Sequence, residues 1–246
     1  MGLRDRDAVS ARSEPAVLMS RAAATQRSTV PSLAPRRSRR VVIAVLAVAV
    51  LTGAWFAWKE LLQPRLFAKR FGMVIEHQLY RSGRIHPYLL PKVLDRYGID
   101  DIVALTYPSN APQYQQLEQR LTSERGIRLL RFPLLGNGTG DPAQVVDALI
   151  AIHDALGRGD QVLVQCAAGS ERTGGVIYLY RTLVLGESPD AAYAELLHYG
   201  HRPNRNPKLD AFLNANMAYF AAKLAEHGIV RPDGTPLPRI PEQPSS

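Results

Sequence analysis

A chain of 246 residues, 46% of them hydrophobic, is long enough for one domain with extensions and apolar enough for a core. Its single cysteine excludes an internal disulfide, a CxxC pair and a four-cysteine zinc site. The net charge of +8 does not make it a nucleic-acid binder, because residues 1–40 hold nine Arg against three acidic residues. Residues 59–246 are nearly neutral, with 21 basic and 19 acidic side chains and no basic run interleaved with aromatics.

Residues 1–40, rich in Ala, Arg and Ser, read as a disordered basic tail. Residues 41–58, "VVIAVLAVAVLTGAWFAW", are uncharged and approach the roughly 20 residues a helix needs to span a bilayer. Trp55 and Trp58 stand at one end, where amphipathic aromatics favour the interface. A cleaved signal peptide passes the same test, but a forty-residue leader favours a retained anchor. "PRRSRR" at 35–40 abuts the N-terminal end, while Lys59, Arg65, Lys69 and Arg70 lie more loosely beyond the other. The positive-inside bias then keeps the N-terminus in the cytoplasm and places the rest of the chain outside, as a single-pass membrane protein. Five Lys against 25 Arg, with many Ala, is the composition of a bacterial chain from a GC-rich genome.

Residues 59–228 read as one globular domain. "IDDIVAL" (99–105), "IRLLRFPL" (127–134) and "QVLVQC" (161–166) read as strands, the last apolar enough to be buried on both faces. Helical patterns cover 88–97, 142–157, 172–186, 189–199 and 207–227, the last two opened by Pro after Ser188 or Asn206. Strands alternating with helices predict an α/β layered fold with a mostly parallel central sheet. Residues 229–246 hold five prolines and read as a Pro-rich tail without a core pattern.

The one cysteine lies in "VLVQCAAGSERTGGVIYLYR", residues 162–181. Cys166 ends a buried strand and Arg172 begins a helix. The loop between them, Ala167, Ala168, Gly169, Ser170 and Glu171, can point several backbone N–H groups at one spot. With the helix dipole, such a turn is an anion cradle. A thiol in that field loses its proton readily. Arg172 adds a planar fork suited to two phosphate oxygens. Gly169 permits backbone angles that a side chain forbids, and Thr173 can donate a hydrogen bond to the sulfur.

Cys166, Gly169, Arg172, Thr173 and Gly174 form a C-x5-R-[ST] pattern. On it the chain resembles the cysteine-dependent protein tyrosine phosphatase superfamily, and within it the compact dual-specificity-like branch. "LYRSGRIHP" (79–87) and "YGIDDIVAL" (97–105) look like the segments that open such domains, and the resemblance covers roughly residues 75–220. It implies a protein tyrosine phosphatase-like layered fold and no metal or other cofactor. Cys166 is then the nucleophile, and Arg172 and the loop amides of 167–171 hold the phosphate. The family has His before the cysteine where this chain has Gln165, which implies a less depressed thiol pKa.

The leaving oxygen also needs a proton. The resemblance places the acid upstream, in "PLLGNGTGDPAQ" (133–144), whose one carboxylate is Asp141. Asp141 also precedes Pro142 and suits a helix N-cap. Asn137 can instead occupy the family's Asp position, and Asp101 is a remoter candidate. Arg81 and Ser82 read as loop-positioning residues, Glu171 as a first-turn carboxylate, and His201, Arg202 and Arg205 as a solvated loop or a pocket rim. The expected function is a membrane-anchored phosphatase acting on a phosphorylated protein or small phosphomonoester. A phosphate-binding pseudophosphatase and a rhodanese-like sulfur transferase are the alternatives.

Overall fold

The computed structural model describes residues 36–108, 111–229 and 236–240. Residues 1–35, most of the predicted basic tail, lie outside the described residues. α1 (Arg36–Ala57) begins inside that predicted tail. It continues through a π-helical turn, Trp58–Leu62, into a short α2 (Gln63–Leu66). Arg39–Leu62, 24 residues, is long and apolar enough to cross a membrane.

An α/β domain follows. Its elements are β1 (Gly72–Ile75), β2 (Leu79–Ser82), α3 (Leu90–Tyr97), β3 (Asp101–Ala104), α4 (Pro112–Arg125) and β4 (Arg128–Arg131). After these come α5 (Pro142–Gly157), β5 (Val162–Gln165), α6 (Glu171–Leu179), α7 (Pro189–His198) and α8 (Pro207–Glu226). A second π-helical turn, Tyr180–Val184, prolongs α6. The strands form one mixed sheet in the order β1-β2-β5-β3-β4, with only the β1–β2 pair antiparallel.

β5 is the central strand. Val162 pairs with Leu79 and Asp101, and Gln165 pairs with Ser82 and Ala104. Side chains alternate across a strand, so Val162, Val164 and Cys166 join the core built with α5 to α8. Leu163 joins the second core, with Leu90, Val93 and Leu94 of α3 and Leu121 of α4. A strand covered on both faces reads as a continuous apolar run, which is why β5 was legible. The helix starts follow local chemistry. Proline stands at the start of α4, α5, α7 and α8, where its missing N–H costs nothing. Ser188 Oγ accepts the Ala191 N–H at 3.5 Å, a long capping bond. Asn206 makes no such cap and uses its amide elsewhere.

Three features depart from the sequence reading, and the first is the antiparallel β1–β2 pair, which adds two strands to the three expected. α4, "PQYQQLEQRLTSER", is a helix too polar to show an apolar stripe, and it buries Gln115, Glu118 and Thr122 beside Leu121. The parallel β3–β4 pair needs a crossover, and α4 supplies it. Of the predicted Pro-rich tail, residues 230–235 and 241–246 lie outside the described residues, but Ile229 and Ile240 are buried in the core. Asn214 Nδ2 donates to the Ile240 carbonyl oxygen at 3.0 Å, and the Ile240 N–H donates to Asn214 Oδ1 at 2.9 Å. One isoleucine between prolines has no periodicity to read.

Ile240→Ala is expected to cost about 2–5 kcal/mol, the usual range for emptying a buried aliphatic site. Urea unfolding would show it as a lower midpoint at an unchanged slope, and an unmoved midpoint would contradict the docking of this segment.

Candidate active site

The Cys166 loop leaves β5 between the C-terminal ends of β2 and β3. Ligands bind at this edge of open α/β sheets, where crossovers on the two faces diverge. Cys166 is buried, and the loop runs directly into α6, whose first turn carries Glu171, Arg172 and Thr173.

Three consecutive loop carbonyls are held from outside. Ala167 O accepts the Arg84 N–H at 3.2 Å. Ala168 O accepts Arg70 Nη1 at 2.8 Å, and Gly169 O accepts Arg81 Nη2 at 3.1 Å. In a planar trans peptide the C=O and the next N–H point in opposite directions. Pinning these carbonyls outward therefore turns the N–H groups of Ala168, Gly169 and Ser170 inward. The Gly169 N–H marks the side they face, since it donates to Cys166 Sγ at 3.1 Å.

The pinning needs close approach. Gly169 has φ +76, and a Cβ there would lie 2.4 Å from the Gly83 nitrogen. A Cβ on Gly83 would lie 2.7 Å from Ala168 O. Arg81 is fully buried, with Nη1 donating to Glu195 Oε1 at 2.7 Å and its guanidinium 3.7 Å from the Tyr199 ring centroid.

Burial pushes the Cys166 thiol up, but other groups outweigh it. The Thr173 hydroxyl, the Arg172 guanidinium and the N–H groups of Thr173 and Gly169 together hold the thiol below the ordinary cysteine range. The Thr173 hydroxyl lies 3.4 Å from Ser82 O and also reaches the sulfur, so it can bond either. Arg172 is buried, and its Nη1 donates to Leu105 O at 3.4 Å. Its Nε is buried without a hydrogen-bond partner among the described residues. A buried donor left unmatched is costly, and it suits an anion arriving in the loop.

The structure thus brings Cys166, Ala167, Ala168, Gly169, Ser170, Glu171, Arg172 and Thr173 together. Asp141 stands apart in role: it is exposed and caps α5, its Oδ1 accepting the Ala143 N–H at 2.9 Å. The 133–144 segment meets the loop through other residues. Gly138 lies against Glu171, since a Cβ on it would come 3.1 Å from the Glu171 carbonyl carbon. Asn137 O accepts Asn206 Nδ2 at 2.7 Å, while Asn137 Oδ1 accepts the Thr139 N–H and hydroxyl. Asp101 starts β3, at the end of the strand opposite the loop, and binds Arg128 and Arg158 there. His201 is neither a solvated loop residue nor a pocket rim: it is fully buried between Glu171 and Asp210.

Two functional neighbours escaped the sequence reading. Arg70 holds a loop carbonyl. Glu118, on the unrecognised α4, accepts the Gln165 side-chain amide and Arg131 Nη2, the latter at 2.7 Å. Burial pushes the Glu118 carboxyl up, against the pull of Arg131 and Gln165. Gln165 therefore anchors the strand end through α4, on the face of the sheet opposite Cys166. Among the described residues no group of His, Cys, Asp and Glu side chains is arranged to hold a metal ion.

This geometry predicts that iodoacetamide alkylates Cys166 with a pH midpoint below the ~8.5 of a free cysteine. Thr173→Val, which removes a hydrogen bond to the sulfur, is expected to move that midpoint up. A wild-type midpoint at or above the free value would contradict the electrostatic account.

No family model matches the sequence, and no curated protein matches it either. Solved structures do. TpbA of P. aeruginosa aligns with 64% of this chain and 91% of its own, at 21% identity and a TM-score of 0.51. A DUF442 phosphatase of Shewanella putrefaciens aligns with 62% of this chain and 91% of its own, at 22% identity and a TM-score of 0.51. The catalytic core of Siw14 aligns with 67% of this chain and 96% of its own, at 17% identity and a TM-score of 0.52. At these identities the likeness establishes the fold alone: the domain that carries Cys166 shares the α/β architecture of these structures.

Proposed function

We propose that this protein is a membrane-anchored, cysteine-dependent phosphatase of the protein tyrosine phosphatase superfamily. The observation that carries the reading is the pinned loop. Three carbonyls held outward leave three N–H groups facing the sulfur side, beside an arginine with an unmatched buried Nε. That is a site for a tetrahedral dianion in contact with a nucleophile.

The Cys166 thiolate attacks phosphorus, forming an S–P bond as the ester P–O bond breaks. Arg172 and the amides of Ala168, Gly169 and Ser170 hold the three non-bridging oxygens as charge redistributes. The leaving oxygen takes a proton from a general acid, for which Asp141 is the candidate. Water then attacks phosphorus and gives a proton to the carboxylate left by the general acid, the S–P bond breaks to release phosphate and the thiolate, and Thr173 donates to the departing sulfur. No cofactor enters these steps.

Phosphotyrosine is the proposed substrate class, with phosphoserine and phosphothreonine as further members. One TpbA structure is a complex with phosphotyrosine, and Siw14 of S. cerevisiae is described as a PP-IP phosphatase. Ser170 follows Gly169 here where a basic residue would favour inositol phosphates. Residues 41–58 serve as the anchor, with the arginine-rich N-terminus in the cytoplasm and residues 59–228 as an extracytoplasmic catalytic domain. The arginine-rich residues 1–40, the last five of which already belong to α1, lie on the cytoplasmic side in this arrangement.

A phosphate-binding pseudophosphatase is favoured by one observation, the use of the Asp141 carboxylate as a helix cap. The two readings separate in one assay. The full-length protein is expected to hydrolyse para-nitrophenyl phosphate without metal, and Cys166→Ser is expected to abolish this. Asn caps a helix about as well as Asp, so Asp141→Asn isolates the proton-donor role. It is expected to lower kcat on a phosphotyrosine peptide by about 10²–10⁴, and to matter less for the better leaving group. No turnover by folded wild type, with phosphate still bound, would establish the pseudophosphatase instead.

A further inference from the structure

Glu171 poses a physical problem for an anion loop. It is the residue immediately before Arg172, and its charge opposes a phosphate. The structure answers it with a buried chain of bonds. Glu171 Oε2 meets His201 Nδ1 at 2.7 Å and accepts Asn206 Nδ2 at 2.8 Å. His201 Nε2 meets Asp210 Oδ1 at 2.8 Å, and Asp210 Oδ2 accepts the Tyr193 hydroxyl at 3.0 Å. The His201 side chain is fully buried.

Both ring nitrogens of His201 thus face carboxylate oxygens at hydrogen-bond distance. A neutral imidazole has one N–H, so its other nitrogen would turn a lone pair toward a carboxylate. With two carboxylate partners only the imidazolium satisfies both bonds. α6 supplies Glu171 and α8 supplies Asp210. α7 supplies Tyr193, edge-on with centroids 6.3 Å apart, and the Leu196 oxygen that accepts the His201 N–H. The α7–α8 connection supplies Asn206 and Arg202, whose guanidinium donates to the His201 carbonyl oxygen.

We propose that His201 is a positioning residue that neutralises Glu171 and fixes it to α8, so that the Cys166 loop stays an anion site despite its own carboxylate. The inference rests on the phosphatase reading and deepens it. Asp210 lies one imidazole ring farther from the loop and accepts the Tyr193 hydroxyl. Asn206 extends the clamp, since the same amide nitrogen that binds Glu171 also binds Asn137 O. The Cys166 loop and the 133–144 segment are therefore tied through the one side-chain amide of Asn206. Burial pushes the His201 ring down, but its bonds to Asp210 and Glu171 outweigh this and raise it to about 9. The charge is present below that pH and is lost above it, so anion affinity should fall as pH rises through about 9.

The test is calorimetric binding of tungstate, a dianion throughout this range, to the full-length protein at pH 7.5 and pH 10. Four proteins are compared: wild type, His201→Gln, Glu171→Gln and the double variant. His201→Gln is expected to weaken binding at pH 7.5 by about tenfold or more, the equivalent of one pKa unit of interaction. Removing the Glu171 charge as well should restore it to within about threefold of Glu171→Gln alone, a rescue that also shows the fold intact. Wild-type affinity should drop at pH 10 by more than that of Glu171→Gln. Unchanged binding in His201→Gln, a double variant as weak as the single one, or equal pH dependence would each overturn the proposal while leaving the phosphatase reading in place. A wild type that binds no tungstate would overturn the phosphatase reading and this inference with it.

Discussion

Everything at this site depends on where three carbonyl oxygens point. A peptide loop with free carbonyls would present oxygen to an incoming phosphate and repel it. Here Ala167, Ala168 and Gly169 give their oxygens to Arg84, Arg70 and Arg81, and the amides are left to face the sulfur. Arg81 is the most demanding of these supports because its side chain is wholly buried. Burying a guanidinium is unfavourable unless it is paired and hydrogen-bonded. Glu195 and the Tyr199 ring supply that compensation from α7 and just beyond it. The packing of α7 against α6 is thus also what keeps the loop open to an anion.

The same logic repeats on both faces of the sheet. Behind Cys166, Glu118 is paired with Arg131 and accepts the side-chain amide of Gln165, the residue that stands where the C-x5-R phosphatase pattern has His. In front of α8, His201 holds Glu171. Glu118 and Glu171 are each matched locally and each match steadies one end of the loop, while Arg172 keeps an Nε without a partner among the described residues. The Cys166 thiol is held below the ordinary cysteine range by the Thr173 hydroxyl, the Arg172 guanidinium and the N–H groups of Thr173 and Gly169, which together outweigh its burial.

How much of this was readable from sequence follows from the range of each interaction. β5 and α5 to α8 were legible because burial writes itself into local apolar patterns, and the loop because its chemistry is compressed into eight residues. α4 was hidden, since a helix that buries Gln115, Glu118 and Thr122 has no apolar stripe. With it went Glu118, whose role exists only through contact with Gln165, 47 residues away. His201 was visible only as a residue of a polar loop. Its two partners lie 30 residues before it and nine after, and neither spacing signals contact. Asp141 was open to two readings in the sequence, and the structure realises the cap.

The central claim is covalent: phosphoryl transfer to Cys166. The most direct measurement is intact-mass and peptide mass spectrometry of the full-length protein, quenched during turnover of para-nitrophenyl phosphate. The account predicts one phosphoryl group per chain, located on Cys166 and absent from Cys166→Ser. Turnover that persists in Cys166→Ser, or a phosphoryl group found on another residue, would contradict it.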